Sequence, residues 1–216
     1  MTISGKSLKE HQEVVGHARA IDILYEAVYS GTSIDKSIIF NLHRAIQTEY
    51  ILDIYKPIGG WKVEINGCRA RHEIDGKVKA VYIEYAHPLD VDSLMQELID
   101  YINEMDCTLI TYENAAKVYS KVHSVFVSIH PFWDGNGRMA RLIANIPLLK
   151  AGLVPLVIDS TRRLEYISAL SAHQIAFQGE LYIKGPENTA LTTFCQSCYG
   201  TTIEIVEEGL MGLKRY

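Results

Sequence analysis

Cysteine is sparse. The 216 residues contain four thiols, Cys68, Cys107, Cys195 and Cys198. That density excludes a disulfide-stapled scaffold. Cys195 and Cys198 form a C-x-x-C, but a structural zinc site wants a second ligand pair, and Cys68 and Cys107 stand far apart. A redox dithiol belongs between a strand and a helix, whereas this pair sits in TALTTFCQSCYG near the C-terminus. We read incidental or buried thiols in a reduced, cytoplasmic protein. Proline is also scarce, and no Pro/Gly-rich linker, repeat or low-complexity tract divides the chain, so one domain over 1–216 is expected. No apolar run approaches the roughly 18 residues that cross a bilayer, and MTISGKSLKEHQEVVGHARA lacks the apolar stretch of a secretory signal. Positive charge is in deficit, 21 Lys+Arg against 26 Asp+Glu, a net of −5. That argues against nucleic-acid binding through the overall field, leaving a local basic patch open.

What remains is an ordinary globular mixture, 48% hydrophobic and 22% charged, long enough for a sizeable core. Its periodicity is mostly helical. Leu8, Val14, Val15, Ala18, Ile21, Ile23, Leu24 and Val28 give an amphipathic helix over 7–29, closed by Ser30-Gly31. Ser33-Ile-Asp-Lys then reads as a cap opening a helix over about 34–49. In 61–86 the pattern changes. Trp61, Val63 and Ile65 alternate with Lys62, Glu64 and Asn66, and Asn66-Gly67 and Asp75-Gly76 are turn signals, which together predict a small β-hairpin. Helical spacing returns over 90–105 and about 112–129. A further helix after the glycines at 135–137 should be kinked by Pro147. The fold class is therefore mainly α, a helical bundle with one hairpin attached.

The chemistry concentrates in Ile129-His-Pro-Phe-Trp-Asp-Gly-Asn-Gly-Arg-Met-Ala-Arg141. Gly135-Asn136-Gly137 can turn its backbone N–H groups inward as a concave anion nest. Met139, Leu142, Ile143, Ile146 and Leu149 start a helix at once, so its dipole also favours an anion there. Arg138 and Arg141 add guanidinium forks suited to phosphate oxygens. Asp134 is an odd neighbour for a bare phosphate. It makes sense as a ligand of Mg²⁺, which takes one or two carboxylates plus substrate phosphates. His130, neutral near pH 7, can serve as a general base. Together these groups describe nucleotide phosphate transfer.

The pattern His-Pro-Phe-x-Asp-Gly-Asn-Gly-Arg-x-x-Arg, unbroken here, resembles the signature of the Fic (filamentation induced by cAMP) family. Ser7 to Ile21 resembles the first helix of many Fic domains, with Gly16 where Asn is common. Leu42-His43, Ala151 to Pro155, and Tyr166 with Ala169-Leu170 resemble later helices. The likeness covers roughly 7–180, leaving 181–216 as a helical extension. The resemblance implies a Fic-fold helical bundle with a β-hairpin flap and a protein adenylyltransferase, which moves AMP from ATP to a Tyr, Thr or Ser hydroxyl and releases pyrophosphate. It implies His130 as base, Phe132 as apolar anchor, and Asp134 as the Mg²⁺ ligand. Gly135, Asn136 and Gly137 then form the phosphate cradle, Arg138 and Arg141 grip the polyphosphate, and Tyr166 contacts the adenine side. The target segment would pair with the flap near 68–85.

Relatives can carry an inhibitory Ser/Thr-x-x-x-Glu-Gly/Asn whose Glu pairs with the second motif arginine. Only Ser93…Glu97 and Thr161…Glu165 have the spacing, and Leu98 and Tyr166 follow them. A separate antitoxin-like partner, as in toxin–antitoxin pairs, a longer parent protein or an unrestrained enzyme all remain open. So do transfer of another nucleotide, removal of AMP from targets, and an inactive nucleotide-binding module. Gly135-x-Gly137-x-x-Ala140 also fits a dinucleotide-binding fingerprint, with strands at 125–129 and 153–158 and Asp159 as the acidic residue. Five residues between that strand and the first Gly are too many for its tight turn. The sequence leaves the target and the oligomeric state unassigned.

Overall fold

The computed structural model describes residues 8–47, 53–74, 77–177 and 182–213. The first helix, α1 (Leu8–Tyr29), stops where the sequence signals it. Gly31 takes a left-handed φ of 71°, and its N–H bonds the Val28 carbonyl. Asp35, not Ser33, caps α2 (Lys36–Ile46), its carboxylate accepting from the Ile38 N–H at 2.8 Å. The expected end of α2 at 49 lies outside the described residues. Helix α2 buries Ile39, Leu42, His43 and Ile46, a single face that packs on α1.

The hairpin is shorter than the alternation predicts. Strands β1 (Gly67–Ile74) and β2 (Lys77–Glu84) pair antiparallel, from Gly67 opposite Glu84 to Ile74 opposite Lys77. The Asp75-Gly76 turn lies outside the described residues. Residues 61–66 form no strand, and their polarity is inverted: Val63 and Ile65 are each 54% exposed, while Lys62 is 3% exposed. The cause is tertiary. Trp61 packs edge-on to Phe40 at 4.5 Å and against Phe132 at 5.3 Å, and the Lys62 N–H donates to the Pro131 carbonyl at 2.8 Å. The segment is tied to the 130–137 loop instead of to a strand neighbour.

Helix α3 (Val91–Glu104) leads into α4 (Ala115–Ile129). Then come α5 (Asn136–Ile143), α6 (Ile146–Lys150), α7 (Arg163–Ala176) and α8 (Thr189–Leu213). The helix expected to bend at Pro147 is two helices. Pro147 stands in the first turn of α6, where a missing N–H costs nothing. The strands required for a dinucleotide fold are absent, since 125–129 is helical and 153–158 is coil. Helix α4 is the central rod, buried along most of its length and packed by α3, α5, α6 and α8. Apolar side chains from α1 to α8 join one cluster. Leu191, Cys195 and Tyr199 bring the first half of α8 into it, and burial pushes the Cys195 and Cys198 thiols up. Among the described residues no His/Cys/Asp/Glu group could hold a metal by itself, and no helix is long and apolar enough to cross a membrane.

Asn145 holds the junction between α5 and α6. Its Nδ2 donates to the carbonyls of Arg141 (3.0 Å) and Leu156 (3.1 Å), and its Oδ1 accepts the Leu156 N–H at 2.7 Å. This fastens the 153–158 segment beside the helix that carries Arg141. Asn145→Ala strands the buried backbone groups of Leu156. It is expected to cost about 1–3 kcal/mol of stability, read as a lower urea midpoint at unchanged slope.

Candidate active site

His130 ends α4 in the left-handed region, φ 51° and ψ 59°, where its N–H still reaches the Phe126 carbonyl at 2.9 Å. Among the described residues no other non-glycine has a positive φ. Such a conformation costs about 1 kcal/mol or more, and its surroundings must hold it. The imidazole Nδ1 lies 3.2 Å from the Val127 carbonyl. A carbonyl only accepts, so Nδ1 carries the proton and Nε2 keeps a free lone pair. Tyr85 lies flat on the ring, centroids 3.8 Å apart and planes 1° from parallel, and its hydroxyl donates to Cys68 Sγ on β1 at 3.0 Å. Desolvation lowers the His130 pKa to about 4, the positive Lys62 acting in the same direction, while the Val127 bond and Asp134 oppose.

The loop after His130 is closed on itself. Phe132 is fully buried, its N–H donating to Asn136 Oδ1 at 3.0 Å and its carbonyl accepting Asn136 Nδ2 at 2.8 Å. Asn136 thus contributes its backbone N–H to the α5 N-terminus while its side chain faces inward. His43 stacks on Phe132 at 3.7 Å, accepts the Gly59 N–H on Nδ1 at 2.9 Å, and donates from Nε2 to the Asp134 carbonyl at 3.1 Å. Burial lowers its pKa to about 4, so it is neutral. Gly135 caps α5 at φ 79°, and a Cβ there would meet Gln47 Nε2 at 3.1 Å and Ile46 Cδ1 at 3.2 Å. Gly137 is different. A Cβ would meet nothing nearer than Arg141 Nη1 at 3.6 Å, so the protein's own packing leaves room above it. The Asp134 carboxylate is exposed at the loop's rim, 3.4 Å from Arg138.

The two arginines diverge. Arg138 donates to the Ile46 carbonyl at 2.9 Å, tying α5 to the end of α2. Arg141 borders a cavity of about 220 Å³ with His17, Tyr25, Asn145 and Leu156, and has no carboxylate partner among the described residues. Glu165 pairs instead with Arg162 at 2.7 Å. Tyr166, expected on the adenine side, lies in α7 beside Arg141. The residue is 8% exposed and its hydroxyl is engaged with His123 Nε2 at 3.0 Å, so its link to the site runs through the neighbouring Arg141. The structure thus gathers His130, Asp134, Gly135, Asn136, Gly137, Arg138 and Arg141 along one loop and helix start. Sequence reasoning missed Lys62 and Tyr85, and saw His43 only as half of a Leu-His pair. No local signal marked Lys62, which stands at a polar position of the alternation. None marked Tyr85 among 13 tyrosines.

His123 supplies a test of this packing. It is fully buried, and burial, with Arg141 adding to it, lowers its pKa to about 3. The unfolded chain binds a proton below the ordinary value of about 6.5, and the folded one does not. Stability is therefore full above that value and lost as pH falls toward 3. Urea midpoints at pH 7 and 4.5 should fall less in His123→Phe than in the wild type.

A sequence model of the Fic/DOC family matches residues 33–148. "Protein adenylyltransferase fic-1" of Caenorhabditis elegans is 30% identical over 174 residues, covering 79% of this chain and 30% of that protein. "Protein adenylyltransferase Fic" of Drosophila willistoni is 31% identical over 182 residues, covering 84% and 32%. The chain thus spans about a third of the length of these curated relatives. Among solved structures, a Fic domain containing signaling protein from Bacteroides thetaiotaomicron superposes with a TM-score of 0.75 at 25% identity, over 92% of this chain and 72% of that one. Residues 134–508 of Caenorhabditis elegans Fic-1 share the fold with a TM-score of 0.64 at 24% identity, over 97% and 56%. With more than half of its residues inside the family match, and with the loop geometry to accompany it, the chain belongs to the Fic/DOC family.

Proposed function

We propose that the chain is a protein adenylyltransferase, transferring AMP from ATP to a Tyr, Thr or Ser hydroxyl of a protein and releasing pyrophosphate. The observation that carries this is the pairing of a free imidazole Nε2 at His130 with a glycine-lined helix start whose second glycine the fold itself does not require. A glycine unnecessary for packing leaves its space to a ligand, and the N–H groups there suit phosphate. The names of the curated relatives favour AMP as the transferred group.

In this reading Nε2 of His130 takes the proton of the attacking hydroxyl. The oxygen bonds to the α-phosphorus, and the bond to the β-phosphate oxygen breaks with its electron pair leaving on pyrophosphate. The Gly135, Asn136 and Gly137 backbone cradles the phosphates. Arg138 and Arg141 neutralise charge on the polyphosphate, and Phe132 anchors the loop. Tyr166 supports Arg141 from behind. The exposed Asp134 fits Mg²⁺ of the kind shared with phosphates and water, since a lone carboxylate cannot hold the ion alone. When bound, the ion supplies charge neutralisation between the phosphates. The free His130 is a weak base, and phosphates arriving beside it raise its affinity for the proton. The hairpin at about 68–85 lies next to His130 through Tyr85 and Cys68, which favours it as the strand on which the target is laid. Among the described residues Arg141 meets no carboxylate, which leaves it open to one brought by a separate, antitoxin-like chain.

Intact-mass analysis of a lysate incubated with ATP–Mg²⁺ and the protein tests the reaction. A mass gain of one AMP unit, absent with His130→Ala, is the expected result. A gain of one phosphate, or labelling that survives in the variant, rejects the assignment. The glycines separate support from binding. Gly137→Ala should leave the urea midpoint unchanged or slightly higher and weaken ATP–Mg²⁺ binding about tenfold or more, because its methyl takes ligand space. Gly135→Ala should instead destabilise the fold by about 1–2 kcal/mol, because its φ is left-handed and its methyl meets Gln47 and Ile46.

A further inference from the structure

Lys62 breaks a rule that the rest of the chain keeps. It is 3% exposed, it lies where the local pattern calls for a solvent-facing residue, and among the described residues it pairs with no carboxylate. An uncompensated buried ammonium is costly, and folds keep one where something else depends on it. Its ammonium donates to Asn66 Oδ1 at 2.6 Å and to the Ile129 carbonyl at 3.3 Å. Its own N–H donates to the Pro131 carbonyl at 2.8 Å. Asn66 Nδ2 donates in turn to the Phe132 carbonyl at 3.1 Å. The carbonyls of residues 129, 131 and 132 are thus all held by the 62–66 segment. They bracket His130, whose left-handed backbone needs holding.

We infer that Lys62, with Asn66, is a positioning residue for His130: it fixes the turn that presents the imidazole, and it sets a positive charge beside that ring. The groups facing His130 are Lys62 from the 61–66 segment, Asp134 from the loop, the Tyr85 ring beyond β2 and the Val127 carbonyl of α4. Of these, Lys62 is the positive one. Asp134 acts in the opposite sense, and Tyr85 is neutral because burial pushes its phenol up. Lys62 itself, lowered to about 8 by burial, is mainly charged at neutral pH. The catalytic part of this inference rests on His130 acting as the base of the proposed transfer. The electrostatic part does not.

Two variants separate charge from hydrogen bonding. Lys62→Gln keeps an N–H donor and drops the charge; Lys62→Met drops both. The His130 ring resonance, assigned by its loss in His130→Ala, is titrated by NMR without nucleotide. Its midpoint is expected to rise by about half a pH unit or more in each folded variant. In the AMP-transfer assay kcat should fall about tenfold or more in Lys62→Met, and less in Lys62→Gln, with the KM for ATP changed less than about twofold. If Lys62→Met does not fold, Lys62→Gln carries the test alone. A midpoint that stays put in the folded variants overturns the inference, even with kcat reduced, because it marks a merely structural strut. If the wild type transfers no AMP while the midpoint still moves, the assignment of function fails and the electrostatic role of Lys62 stands.

Discussion

Everything at the site depends on one neutral imidazole with both nitrogens engaged. His43 Nδ1 accepts from the Gly59 backbone and Nε2 donates to the Asp134 backbone, while its face lies 3.7 Å from Phe132. The contact with Gly59 needs the neutral form. A proton on Nδ1 would remove the acceptor that Gly59 requires, and a charged ring would be stranded in the core. Through this side chain α2 grips both the loop at 59–60 and the loop at 130–137. The second grip comes from α5, where Arg138 reaches the free carbonyl at the end of α2. A helix C-terminus carries unpaired carbonyls and partial negative charge, so a guanidinium there satisfies both. The loop and the start of α5 are held from beneath by these bonds.

That support explains a division of labour among residues of the same type. Asn136 spends its side chain on closing the loop and leaves its backbone N–H at the helix start. Gly135 is glycine because the backbone and the packing demand it, and Gly137 is glycine although neither does. Arg138 reaches back to the Ile46 carbonyl with Asp134 alongside, whereas Arg141 stands at a cavity wall with no carboxylate among the described residues. Gly135 and Arg138 help to hold the loop, and Gly137 leaves space beside Arg141. The helical frame serves the same end. Asn145 and Asn188 each clamp a neighbouring segment, so the α5–α8 side of the molecule is pinned by amides as well as by apolar contact.

The long amphipathic elements were legible in the sequence because burial of one face is a repeated, local signal. α1, α2, α3 and α4 fall within a few residues of their expected limits, and the motif from His130 to Arg141 was legible as one loop leading into a helix. What could not be read is tertiary. The alternation at 61–66 looks like a strand, but Trp61 is drawn to Phe40 and Phe132, and that choice turns Lys62 inward and Val63 and Ile65 out. Period-two patterning specifies a face only when a sheet is there to receive it. Pro147 gives a similar lesson. A proline in a helical pattern signals either a kink or a new start, and the buried Asn145 clamp decides for a new start. The bond between the Tyr166 hydroxyl and His123, residues 43 apart in sequence, is tertiary in the same way.

The charges around the loop pull against the fold in the absence of a ligand. The α5 N-terminus, Arg138, Arg141 and the buried Lys62 are sources of positive potential, with the Asp134 carboxylate set against them at the rim. Burial keeps His130 and His43 neutral, with Lys62 adding to it at the one and Arg138 and Arg44 at the other, and His17, at the cavity wall, is lowered by burial and then by Arg141 and Arg138. Such a concentration of like charge is unfavourable by itself, and in the proposed transfer the entering polyanion relieves it. The backbone contributes in the same direction, because the left-handed turn at His130 is held by its neighbours and is already set before any hydroxyl approaches. A site built this way needs little rearrangement on binding. The cost of ordering its reacting groups is met by the fold, through the contacts that His43, Lys62 and Asn136 make beneath the loop.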